Sequence, residues 1–157
     1  MRTRLAAVVL ALATALTGSL LMAPAASATS AGTETAADCE RGANGFVDIP
    51  DWINGEFVDV TVPGGLIRVE LQKGYLNGVL RGWAKILTPN QYGDLVWMDW
   101  TRDGGRTWLQ CGPFVVTSPN TTKTSAAQRT DPSPDWQFRA CGMVNGISSS
   151  TRCTAWW

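Results

Sequence analysis

The chain has 157 residues, with 13 basic and 13 acidic side chains and no histidine. That balance excludes an electrostatically driven nucleic-acid or anionic-membrane binder. The missing histidine excludes Ser-His-Asp triads, Cys-His dyads and histidine-ligated zinc sites.

Arg2 and Arg4 open the chain, an Ala- and Leu-rich apolar run covers residues 5–22, and Ala26-Ser27-Ala28 spells a small-residue cleavage site. These are the three parts of a secretory signal peptide, so residues 1–28 are expected to be removed on export. The expected product is secreted and extracellular, with no membrane contact after cleavage. Residues 29–157 are then slightly acidic, because Arg2 and Arg4 leave with the leader, and they match one domain in size. All four cysteines, Cys39, Cys111, Cys141 and Cys153, lie in this part. An even number in an oxidising compartment predicts two disulfides. There is no CxxC spacing and no Gly-rich loop opening a helix, so neither a metal nor a cofactor is expected.

Residues 29–44 are small and polar and read as a flexible leader, with the folded domain at 45–157. Along 57–62, Val58, Val60 and Val62 alternate with Asp59 and Thr61. After Pro63-Gly64-Gly65, residues Ile67, Val69 and Leu71 alternate with Arg68, Glu70 and Gln72. In 79–87, Leu80, Gly82, Ala84 and Ile86 face one way, and Arg81, Trp83 and Lys85 the other. In 95–101, Val96, Met98 and Trp100 form the apolar face opposite Leu95, Trp97, Asp99 and Thr101. Near the end, Trp136, Phe138 and Ala140 share a face. This is period-two alternation with no sustained 3.6-residue period, which predicts strands with one buried and one wet face. The expected fold is all-β, a single antiparallel β-sandwich of about eight short strands and a monomer. Residues 118–135, rich in Ser, Thr, Pro and Asn, read as a long mobile loop.

The strongest local signal is Thr101-Arg-Asp103-Gly104-Gly105-Arg-Thr107-Trp108. Asp-Gly between two strand-like runs predicts a tight hairpin. The Asp103 carboxylate is placed to accept turn N–H groups, Gly104 and Gly105 to take positive φ, and Trp108 to pack over the turn. The segment resembles the Asp-box, a hairpin motif of the form Ser/Thr-x-Asp-x-Gly-x-Thr-Trp. That resemblance implies a structural role away from any active site. A sialidase-type propeller repeats the motif blade after blade, whereas here it occurs once. From Cys39 onward the chain also resembles small secreted actinobacterial proteins of unknown function. The resemblance is carried by residues 97–113, by Gln137-Phe-Arg-Ala-Cys-Gly142 and by Cys153-Thr-Ala-Trp-Trp157, and it implies export and a shared fold with no activity attached.

Four cysteines allow three pairings. Cys141 ends one strand and Cys153 begins the next across a Gly/Ser turn, so we expect Cys141–Cys153, leaving Cys39–Cys111. For function, the eight tryptophans are the informative excess. Alternation places Trp83 and Trp97 outward beside Arg81, Lys85 and Asp99, on strands expected to be neighbours in one sheet. Exposed indoles among polar groups suit an extracellular polysaccharide, the alternative being that a second layer covers both rings. A second functional reading is a protein-interaction or protease-inhibitor-like domain using loop 118–135. The last is a small hydrolase using Asp99 and Glu70.

Overall fold

Alternation decides which side of each strand is apolar, and in the computed structural model, which describes residues 29–157, those sides meet as two packed sheets. Residues 1–28, read above as a signal peptide, lie outside the described residues. In chain order the elements are β1 (Thr29–Glu34), α1 (Ala36–Glu40), β2 (Glu56–Thr61), β3 (Arg68–Leu76), β4 (Val79–Leu87) and β5 (Leu95–Thr101). They continue with β6 (Thr107–Val115), β7 (Lys123–Thr124), β8 (Gln128–Arg129), β9 (Gln137–Met143) and β10 (Arg152–Cys153). One sheet has the order β1-β6-β5-β9-β10. The other runs β2-β3-β4-β7, with β8 also on β4. The fold is an all-β, sandwich-like arrangement of antiparallel-rich sheets. Both expected disulfides, Cys39–Cys111 and Cys141–Cys153, are formed.

The core lies between the sheets and uses the faces that alternation picks out. Val69 and Leu71 of β3 with the preceding Ile67, and Ala84 and Ile86 of β4, meet Val96, Met98 and Trp100 of β5 and Phe138 and Ala140 of β9. Gly82 lets β4 come close to β9, since a Cβ there would press on the Phe138 ring at 3.2 Å.

Several expectations are corrected. Residues 29–44 are not a loose leader. β1 pairs in parallel with β6, so the sandwich is not wholly antiparallel. α1 is capped by the Thr35 side chain and tied to β6 through buried Cys39. The free edge of β6 and the covalent link supply the contacts that a small polar segment could not find alone. Along 57–62, a register shift between Phe57 and Asp59 breaks the alternation. Val58 packs on the core, Val60 stands opposite Glu70 on the other face, and Val62 is exposed. Loop 118–135 is stitched down. β7 and β8 both pair with β4, and residues 124–128 are buried.

The largest correction is topological. β4 and β5 are consecutive but belong to different sheets. The connection 88–94 crosses the sandwich instead of turning back, and it is held by buried polar side chains. Asn90 Nδ2 donates to the Leu87 and Thr121 carbonyls at 3.0 and 2.8 Å. The Asp94 carboxylate accepts from the Gln91 and Asn145 backbone N–H groups at 2.7 and 2.9 Å. Hydrogen bonds of this kind are what let a loop be buried at all.

Candidate functional site

Because β4 and β5 sit in different sheets, Trp83 and Trp97 point away from each other, on opposite outer sides of the molecule. Neither ring is exposed: Trp83 is 1% and Trp97 8% accessible. Alternation assigns their side of the strand correctly, but both outer faces are covered. Over β4 lies a strap, residues 46–55, joined to residue 127 by paired Val47–Ala127 backbone hydrogen bonds. Ile49, Trp83 and Ala127 form a second small core beneath it, flanked by Val47, Ile53 and Leu76. Gly55 is where the strap comes closest, since a Cβ there would meet the Trp83 ring at 2.6 Å and the Lys73 carbonyl at 2.4 Å. Lys85 is buried under the same strap. Arg81 alone of the β4 set stays partly accessible, with Nη1 donating to the Gly45 carbonyl at 3.4 Å. The proposed Trp83–Trp97 binding face therefore does not exist as a surface. The hydrolase pair fails for the same topological reason, because Glu70 and Asp99 lie on outer faces of different sheets.

On the outer face of the β6-β5-β9 sheet, Asp99 stands opposite Arg139. Arg139 Nε and Nη2 bind Asp99 Oδ2 at 2.8 and 2.7 Å. Among the described residues Asp99 Oδ1 has no hydrogen-bond partner, although the Trp97 indole N–H lies near enough to favour the charged carboxylate. Burial pushes the Asp99 carboxyl up, against the pull of Arg139. The guanidinium is held between two indoles, 4.6 Å from the Trp108 ring and 4.5 Å from the Trp156 ring. The Cys141–Cys153 sulfurs and the Asp99 carboxylate lie within 4.8 Å of one another. The sulfurs are bonded to each other and so present no thiolate to a metal.

The hairpin between β5 and β6 is built around Asp103 and Thr101. Asp103 Oδ1 and Oδ2 accept the Thr107 N–H at 2.9 and 3.1 Å, and Oδ2 accepts the Thr107 hydroxyl at 2.7 Å. Thr101 Oγ1 accepts the Gly105 N–H at 3.0 Å and lies 2.8 Å from Asp103 Oδ1. These donors, the Thr107 N–H first, hold the Asp103 carboxyl down at about 2. Gly104 and Gly105 have φ of 70° and 83°. The ring over the turn is that of Trp156, which a Cβ on Gly105 would meet at 2.8 Å. Trp108 packs against Trp156 at 6.2 Å.

Several concave surfaces remain among the described residues; two of them, of about 320 and 290 Å³, lie against the hairpin at Arg102, Asp103 and Trp108 and beside the crossing segment at Pro89, Asn90 and Asp94. A cleft of about 420 Å³ lies between the strap and the β3–β4 turn, lined by Asp48, Tyr75, Asn77 and Arg81 among others. Its aromatic, Tyr75, stands 75% exposed at the hairpin tip. A pocket of about 310 Å³ opens where residues 130–134 meet β9 and the last residue, lined by Thr130, Asp131, Ser133, Pro134, Trp136, Gln137, Phe138 and Trp157. Here the aromatic walls are fixed. Trp136 lies 4.7 Å from the Trp100 ring and 4.8 Å from the Arg129 guanidinium, and its indole N–H donates to the Arg129 carbonyl at 2.9 Å. Trp157 exchanges two backbone hydrogen bonds of 2.9 Å with Phe138, which extends the edge of β9 and leaves the indole 40% exposed. Asp131 Oδ1 accepts the Ser133 N–H at 3.0 Å and shapes the rim.

Sequence reasoning missed this pocket. It puts Trp136 on one face with Phe138 and Ala140 and names Trp157 only within the C-terminal Cys153-Thr-Ala-Trp-Trp157 stretch. The available signal was the polar Thr130–Asp135 stretch running straight into Trp136. No protein-family model, no curated protein and no solved structure matches the chain. Among the described residues, no helix is long and apolar enough to cross a membrane.

Proposed function

We infer that the protein is a secreted extracellular binding module whose ligand is a carbohydrate, held in the pocket between Trp136 and Trp157. The carrying observation is the pairing of a half-exposed indole on a fixed backbone edge with a polar rim of Asp131, Ser133 and Gln137. A sugar ring has one apolar C–H face and an equatorial fringe of hydroxyls. An indole offers area to the first, and a carboxylate and an amide satisfy the second. A volume of about 310 Å³ suits one sugar unit within or at the end of a polysaccharide. The signal-peptide-like start and the paired cysteines support export, and the Asp-box-like hairpin fits a structural role beside the site. The protease-inhibitor-like reading is less favoured, because the middle of the 118–135 segment is pinned to β4 at residues 123–124 and 128–129.

The test is a glycan array probed with the mature domain, followed by titration of the best ligand. Trp157→Ala should weaken binding by about tenfold, the scale of one lost aromatic contact. An array without ligands, or a Trp157→Ala variant that binds like the wild type, overturns the reading.

A further inference from the structure

Lys85 is 1% exposed, yet no carboxylate lies within ion-pair distance of it among the described residues. Its Nζ instead donates to two neutral oxygens of the strap, the Ile53 carbonyl and Asn54 Oδ1, the latter at 2.9 Å. An enclosed ammonium without a paired anion is costly, and burial lowers the Lys85 pKa although the charges of Asp51 and Glu70 act the other way. A lysine amine desolvated in this manner is a nucleophile, and the group it touches is a carboxamide. Glu70 faces Lys85 directly across the β3–β4 ladder and is itself buried, with Oε2 accepting from Gln72 Nε2 at 2.7 Å and Oε1 from Arg68 Nε at 2.9 Å. Asn54 sits at the exposed end of the contact, so a small leaving group has a route to water.

We propose that Lys85 Nζ and Asn54 Cγ become joined by an isopeptide bond after folding, with release of ammonia, stapling the strap to β4. Nζ gives up a proton to water at the exposed Asn54 end and attacks the Asn54 carboxamide carbon. The tetrahedral adduct then expels Nδ2. The two protons lost from Nζ end on Nδ2, relayed by that water, so ammonium departs. One C–N bond forms, one breaks, and nothing is oxidised or reduced. The product removes the buried charge. Unlike the disulfides, this cross-link withstands reductants.

The test is the intact mass of the exported chain, fully reduced and denatured. It should fall short of the sequence mass by one ammonia, and proteolysis should release one branched peptide carrying both Asn54 and Lys85. Lys85→Arg and, independently, Asn54→Ala should abolish the branched peptide, and Lys85→Arg should restore the full mass. Asn54 precedes Gly55, and a succinimide there would also cost one ammonia. That product would survive Lys85→Arg, open in mild base and yield only linear peptides. A wild-type chain at full mass, or a deficit that persists in Lys85→Arg, overturns the proposal.

Discussion

Asp103 shows how much one carboxylate organises when the donors around it are supplied by its own turn. The Thr107 N–H and hydroxyl, together with the Thr101 hydroxyl, bring its pKa from 3.8 to about 2. A carboxyl depressed on folding contributes stability that is present above its unfolded pKa and is lost as the pH falls through the folded value. The hairpin contribution should therefore be intact at neutral pH and decline between about pH 4 and 2. Asp103→Ala should melt lower than the wild type at neutral pH, with the two curves converging near pH 2, as followed by thermal denaturation across that range. Asp99 is the opposite case. Its carboxyl is raised because burial outweighs Arg139, so the ion pair, in which two Arg139 nitrogens share Asp99 Oδ2 and the guanidinium lies between Trp108 and Trp156, acts as a positioning device for the last residues of the chain more than as a source of net stability.

At the scale of elements, the strap is the segment that changes the meaning of the strands beneath it. It turns the outer face of β4 from a wet surface into a second core, and it does so at a distance set by Gly55. Adding one methyl at that position drives it against the Trp83 ring and the Lys73 carbonyl. Gly55→Ala should cost about 1–3 kcal/mol, the usual range for overpacking. It should also alter Trp83 emission by admitting water to the ring, which thermal melts and tryptophan fluorescence would detect together. A variant with wild-type stability and emission would show that the strap rides higher than its contacts indicate. The crossing segment 88–94 works similarly. Asn90 and Asp94 replace backbone partners that a hairpin would have offered, so the chain can pass between sheets with much of its buried polar backbone satisfied.

For the whole molecule, the two disulfides close loops of very different length, with a sequence separation of 72 for Cys39–Cys111 and 12 for Cys141–Cys153. Constraint of the unfolded chain grows with the logarithm of loop length. Cys39→Ser with Cys111→Ser should therefore destabilise by about 4 kcal/mol, and Cys141→Ser with Cys153→Ser by about 3 kcal/mol. Denaturant titration of the two double variants checks the order. The first pair should in addition release α1 and β1 from β6, seen as fast amide exchange along residues 32–40.

What the amino-acid sequence determined by itself is local. Alternation assigned inner and outer sides to β3, β4, β5 and β9, and Asp-Gly-Gly placed the β5–β6 turn. The position of Cys153 across a turn from Cys141 indicated that pairing. Each of these follows from neighbours a few residues apart, where the period of a strand or the φ of a glycine leaves few choices. What only the tertiary structure decided is which faces stay wet and which strands adjoin. Val47 pairs with Ala127, Asn54 reaches Lys85, and Trp157 pairs with Phe138. Period two says which way a side chain points but carries no information about the distant segment that covers it. For that reason Trp83 and Trp97 became core, while Trp157 was left at the surface beside a pocket.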